Sequence, residues 1–297
     1  MSLIESALAK ARARANEVAG ENVAAQKASR RAGAPSAQTK STLPTGPIVE
    51  PAERIAAPVL TIYTDFCLEN RVLVDDGASN NKVAGAAYRM LRTRLLRRAR
   101  TNGWTTIGVT SATPNDGKSL TVLNLGISVA REGNSEAVLL DFDMRNPSMC
   151  QYLGVKPTNQ LLDYFERDAT MADLFFSIGI SNLLLASAVT GTERASELLA
   201  GDKVDRLIQY IKEHSANPIV LIDLPPLLVT DDALVVAPKV DALLVVASEG
   251  HTSRADLDKA LGLLAEFPIA GLVLNHAKET GVNYGYGYEY ESGAAPG

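Results

Sequence analysis

Three kinds of residue are in short supply. Aromatic side chains make up 5% of the 297 residues, cysteine occurs twice and histidine three times. Cys67 and Cys150 are too few and too far apart for a disulfide framework or a zinc site, and read as buried apolar filler. His214, His251 and His276 show no ligand spacing and read as structural or exposed. No apolar run approaches the ~20 residues needed to span a bilayer, and the N-terminus has no apolar signal core. A cytoplasmic chain is therefore expected, neither secreted nor membrane-embedded. With 46% hydrophobic and 21% charged residues the composition is globular, in one large or two small domains.

The net charge of −5 conceals a segregation: 0 over residues 1–81, +7 over 82–100 and −12 over 101–297. The basic block coincides with a helical pattern in which Ala84, Tyr88, Leu91 and Leu95 share one apolar stripe, flanked by Arg89 and Arg92 on one side and Arg94 and Arg98 beyond the other. Three uses compete for it: a solvated face, an oligomer interface against an acidic neighbour, and an anionic surface. The acidic remainder of the chain argues against nucleic acid, which it would repel.

Residues 1–19 form a first segment, with an amphipathic helix over 2–15 that Ser2 and Glu5 cap. Residues 20–58 are rich in Ala, Ser, Thr, Gly and Pro and read as a linker. A domain is expected over 59–276, including the basic helix 82–100. Its pattern alternates strands (106–110, 137–142, 183–187, 218–223, 242–247, 269–274) with helices (118–131, 196–214 broken near Gly201, 231–236, 253–266). That alternation implies an α/β fold with a mainly parallel sheet covered by helices on both faces. Residues 277–297 are a tail holding four of the nine tyrosines, Tyr284, Tyr286, Tyr288 and Tyr290.

The first strand runs into Thr113, Pro114, Asn115, Asp116, Gly117, Lys118, Ser119 and Leu120 and then a helix. This is a P-loop pattern, with Ala112 in place of its first glycine. Backbone N–H groups and the helix dipole favour phosphate there, Lys118 would reach the β- and γ-phosphates, Ser119 would ligate Mg2+, and Gly117 would let backbone approach phosphate closely. Two further apolar runs end in carboxylates: Asp141 and Asp143, expected to point the same way by the strand period of two, and Asp223. Ligands gather at such strand ends. Asp141 and Asp223 are read as holding the metal or its waters, and Asp143 as the acceptor of a hydroxyl proton, with exchange of roles between Asp141 and Asp143 left open.

The loop ATPNDGKS, the run VLLDFDMRNP, the run from Ile219 to Val246, the AYRMLRTRLL helix and the tyrosine tail together resemble the bacterial tyrosine autokinases (BY-kinases) of capsule and exopolysaccharide export. The resemblance covers roughly residues 82–290. It implies a P-loop NTPase fold using ATP and Mg2+, with Lys118 and Ser119 in Walker A, Asp141 and Asp143 in Walker A′ and Asp223 in Walker B. Asn275 would contact adenine. Tyr284, Tyr286, Tyr288 and Tyr290 would be phosphate acceptors, modified in trans within a homo-oligomeric ring assembled through Arg89 and Arg92. The family's glutamate in that helix is Ala86 here, and Asn115 and Asp116 stand where many members have Gly and Glu. A separate membrane protein of the chain-length-regulator type would activate the kinase and bring it to the inner face of the cell membrane. Two other readings compete: an ATPase switch of the partition and division-site class, disfavoured because its extra P-loop lysine is Thr113 here, and a pseudokinase scaffold.

Overall fold

A computed structural model describes residues 54–75, 82–167 and 169–277. The N-terminal helix, most of the expected linker and the four tail tyrosines lie outside them. Six strands form one wholly parallel sheet: β1 (Thr106–Ser111), β2 (Glu136–Asp141), β3 (Leu183–Ala186), β4 (Pro218–Asp223), β5 (Ala242–Ser248) and β6 (Ile269–Asn275), in the order β3-β2-β4-β1-β5-β6. The runs are largely apolar because both faces of the sheet are covered, and β1 and β5 are buried at every position.

The period of two sorts each strand between two cores. Val138 and Leu140 of β2 and Val220 and Ile222 of β4 face one cluster. Ala137 and Leu139, with Ile219 and Leu221, face the other. Over the second face lie α1 (Thr64–Glu69), α2 (Lys82–Asn102), α3 (Lys118–Glu132) and α4 (Met149–Leu153); over the first lie α5 (Leu161–Arg167), α6 (Ala195–Ala200), α7 (Lys203–His214), α8 (Asp232–Val236) and α9 (Arg254–Leu263). Gly201 does divide α6 from α7. The short helices α1, α4 and α5 have no counterpart in the sequence reading, since a single turn or two shows no measurable periodicity. Among the described residues no helix is long and apolar enough to cross a membrane. Ile55 already packs into the first core, and Cys67 and Cys150 are free and buried.

The basic helix α2 forms as expected, with a shifted apolar stripe. Leu95, Leu96 and Ala99 are buried, Tyr88 and Leu91 are partly buried, and Ala84 is exposed. Its arginines are divided between two uses. Arg92 donates to the carbonyl of Ser128 at 3.0 Å and lies 3.7 Å from Glu132, which ties α2 to α3. Arg98 donates to the carbonyl of Ala270 at 2.7 Å, at the point where the pairing of β6 with β5 slips by one residue. Arg89 remains exposed.

Helix α3 meets β2 through Gly126, where an added Cβ would stand 2.4 Å from Leu139 Cδ2. Replacing it by a β-branched residue overfills that contact. Gly126→Val is expected to lower stability by about 2–3 kcal/mol in urea unfolding without changing the slope.

Candidate active site

Strand β1 ends in the loop 112–117, and α3 begins immediately after it. Gly117 has φ 84°, and an added Cβ would stand 2.0 Å from Asn275 Nδ2, so the position needs glycine for its backbone and for its neighbour. Asn115 is also left-handed, at φ 63°. Among the described residues the N–H groups of Gly117, Lys118 and Ser119 donate to no acceptor. They are open at the N-terminus of a 15-residue helix, which is the arrangement an anion requires. Leu120 follows as a partly buried residue packed on the second core.

The carboxylates come together through sheet register. Asp141 of β2 and Asp223 of β4 are direct pairing partners, so two acids stand side by side at adjacent strand ends, about 5 Å apart in the hydrogen-bonding direction. Both are fully buried. Asp143 lies two residues beyond the end of β2. It takes Lys118 Nζ at 2.5 Å, while Asp223 Oδ1 is 3.6 Å from the same ammonium, an ion-pair distance too long for a hydrogen bond. Asp141 Oδ2 accepts from the N–H groups of Ser148 and Met149 and from Ser187 Oγ. One oxygen of Asp141 therefore caps α4. Its Oδ1, and both oxygens of Asp223, are buried without a hydrogen-bond partner.

This arrangement displaces protons. Burial, then the charge of Asp223, raises the Asp141 carboxyl to about 7. Burial raises Asp223 to about 6 against the opposing pull of Lys118. Burial alone would lower Lys118, but Asp223 and Asp143 outweigh it and hold the ammonium charged. Among the described residues no three acidic, His or Cys side chains form a ready-made metal cluster. The orphaned oxygens of Asp141 and Asp223 still suit a cation that keeps water and uses one or two carboxylates, as Mg2+ does.

The expected site residues sort cleanly. Lys118, Ser119, Asp143, Asp141 and Asp223 meet at the strand ends. Asn275 donates Nδ2 to the carbonyl of Asp116 at 3.0 Å and so supports the loop. Arg89 and Arg92 lie elsewhere, on α2. Several participants carried no sequence signal. Thr252 Oγ1 donates to Asp116 at 2.6 Å, and His251 Nε2 lies 2.9 Å from the carbonyl of Pro114. Arg145 binds Asp232 through Nε at 2.8 Å, fastening the loop that carries Asp143 to α8. Gly191 lets that loop sit close, since an added Cβ there would stand 2.2 Å from the Arg145 carbonyl.

A carboxyl whose native pKa is raised stabilises the fold below the ordinary carboxylate range, and that contribution is lost as pH rises through the raised value. The melting temperature of the ligand-free protein should therefore fall as pH rises through about 6 to 7. Asp223→Asn should flatten this slope in thermal melts and stabilise the protein near pH 8 by about 1–3 kcal/mol.

No protein-family profile matches the chain. The tyrosine-protein kinase CpsD of Streptococcus pneumoniae is 28% identical over 175 residues, covering 57% of this chain and 74% of CpsD. YwqD, a tyrosine-protein kinase of Bacillus subtilis, is 26% identical over 203 residues, covering 68% of this chain and 84% of YwqD. Against EpsB of Ralstonia nicotianae the match is 27% over 206 residues and spans 27% of that protein's length, so the chain corresponds to about a quarter of that relative. Among solved structures, the kinase domain of the Escherichia coli tyrosine kinase ETK superposes with a TM-score of 0.60 at 25% identity, over 69% of this chain and 80% of that one. The VpsO kinase domain shares the fold, with a TM-score of 0.60 at 22% identity over 68% of this chain. In its parallel sheet, the loop between β1 and α3 and the acids at the ends of β2 and β4, the chain has the P-loop fold, and in sequence and structure it is similar to these bacterial tyrosine kinases.

Proposed function

We propose that the protein is a tyrosine autokinase that uses Mg-ATP to phosphorylate its own C-terminal tyrosines and thereby regulates polysaccharide synthesis or export. The observation that carries this reading is the Lys118 ammonium held between Asp143 and Asp223 beside a helix N-terminus with open N–H groups. ATP phosphates suit those N–H groups, and Lys118 would leave Asp143 to neutralise phosphate oxygens. Ser119, Asp141 and Asp223 would hold Mg2+, which when bound spreads the phosphate charge. Freed of Lys118, Asp143 becomes a base. It takes the proton from the tyrosine hydroxyl as the phenolic oxygen bonds to the γ-phosphorus and the bond to ADP breaks.

Tyr284, Tyr286, Tyr288 and Tyr290 are the proposed acceptors, in trans, within an oligomer. Each phosphate adds about −1.5 to −2 charges, so several on one tail repel each other and the acidic domain. Of the two arginines expected at the interface, Arg89 is exposed to a neighbour, whereas Arg92 is engaged within the chain. An adenine contact by Asn275 would compete with its bond to the loop. A membrane activator of the chain-length-regulator type would localise the kinase at the inner membrane face.

Incubation of the full chain with ATP, Mg2+ and its membrane activator, followed by phosphosite mapping, is expected to find phosphate on the tail tyrosines. Lys118→Met should reduce it by at least about a hundredfold, on the scale of a lost electrostatic contact to the transferring group. ATP hydrolysis without phosphotyrosine would instead favour the partition-type switch, and absence of nucleotide binding the scaffold reading. Light scattering tests assembly: Arg89→Glu and a phosphomimetic tail should each lower the oligomer mass. An unchanged mass in both would remove the interface and the tail switch together.

A further inference from the structure

The phosphate loop contains a carboxylate that the proposed chemistry does not use. Asp116 is fully buried. Its Oδ2 accepts from the N–H of Thr113 at 3.0 Å and from Thr113 Oγ1 at 2.9 Å, and its Oδ1 accepts from Thr252 Oγ1 at 2.6 Å. Thr252 lies in the turn between β5 and α9, and its Oγ1 in turn accepts from the N–H of Ser248 at 2.7 Å. The main chain of the loop is held from the same side. Asn275, at the end of β6, donates to the Asp116 carbonyl, and His251 lies against the Pro114 carbonyl. Residues far apart in sequence thus converge on one five-residue segment without occupying the N–H groups of residues 117–119.

A negative charge within an anion-binding loop is unfavourable unless its lone pairs are directed elsewhere. Here three donors take both oxygens, and the carboxylate faces the β5–α9 turn. We propose that Asp116 and Thr252 are positioning residues: their hydrogen bond ties the phosphate loop to the β5–α9 turn and sets the loop in its phosphate-binding shape before nucleotide arrives. The tether acts on nucleotide affinity, because a loop already ordered pays less conformational entropy on binding. It does not act on the transfer step, because neither side chain reaches Lys118, Asp143 or Asp223. An asparagine at 116 would keep one acceptor oxygen and put N–H donors in place of the other, so either the Thr113 N–H or the Thr252 hydroxyl loses its acceptor. This inference rests on the nucleotide-site reading above.

The test uses the full chain with a fluorescent ADP analogue and Mg2+, together with hydrogen exchange of the loop amides in the absence of nucleotide. Thr252→Ala is expected to weaken binding about tenfold, the scale of one charge-assisted hydrogen bond, and to raise the KM for ATP similarly with kcat within about twofold. Thr252→Ser, which retains the hydroxyl, should restore both, and amides 115–117 should exchange faster in the alanine variant alone. Asp116→Asn combined with Thr252→Ala should be no worse than Asp116→Asn. Unchanged affinity or unchanged exchange in Thr252→Ala, failure of the serine to rescue, or additive losses in the double variant would each overturn the tether. Lys118→Met separates the two claims. If it abolishes analogue binding while Thr252→Ala does not weaken it, the nucleotide site stands and the tether falls; if the wild type binds no analogue, both fall.

Discussion

One ammonium set among three carboxylates governs this molecule. Parallel pairing of β2 with β4 places Asp141 opposite Asp223, and two acids in register at buried strand ends repel unless something positive stands nearby. Lys118 meets that need from the first turn of α3, and Asp143 gives the lysine its shortest contact. The helix must start where it does, and the loop before it must turn through left-handed Asn115 and Gly117, for the lysine to arrive at this point. The sheet register creates the electrostatic requirement, and the loop and the helix start meet it.

The arrangement is costly in the absence of a ligand and useful for that reason. Asp223 keeps two buried oxygens without a hydrogen bond and Asp141 one, with Lys118 the only cation beside Asp223 among the described residues, whereas a fold selected for stability alone would satisfy or remove such groups. Strain of this kind concentrates at functional sites, where binding relieves it. The rest of the domain offsets it with two apolar cores, one on each face of a sheet in which β1 and β5 are buried at every position.

Much of this was legible in the amino-acid order. The apolar runs ending in Asp141 and Asp223, and the Gly117-Lys118-Ser119 step between strand and helix, carry their meaning locally, so the fold class followed, as did the meeting of these side chains at the strand ends. Strand order was not legible, because pairing of β2 with β4 depends on the whole sheet. Asp143 lies past the end of β2, so the strand period does not set its place; it binds Lys118, whereas one oxygen of Asp141 turns to α4. Asp141 was read as holding the metal or its waters; one of its oxygens caps α4, which no spacing rule announced, and the other accepts no hydrogen bond. Arg92 carried the pattern of an interface residue, but its role inside the chain depends on the Ser128 carbonyl and Glu132, which no spacing rule connects to it. Thr252 and His251 gave no signal, since a small polar residue in a turn looks the same whether or not it holds a distant loop.

The slip in pairing at Ala270 has a consequence for the molecule in a crowded solution. Strand β6 is the last of the sheet, and an edge strand offers a row of backbone groups on which another chain can add as a further strand. At Ala270 the regular spacing of those groups is interrupted, and Arg98 covers the carbonyl there with a charged side chain. An incoming strand would have to match an irregular ladder and displace a guanidinium. The contact that seats the basic helix against β6 therefore also disfavours addition of a further strand at that point of the edge.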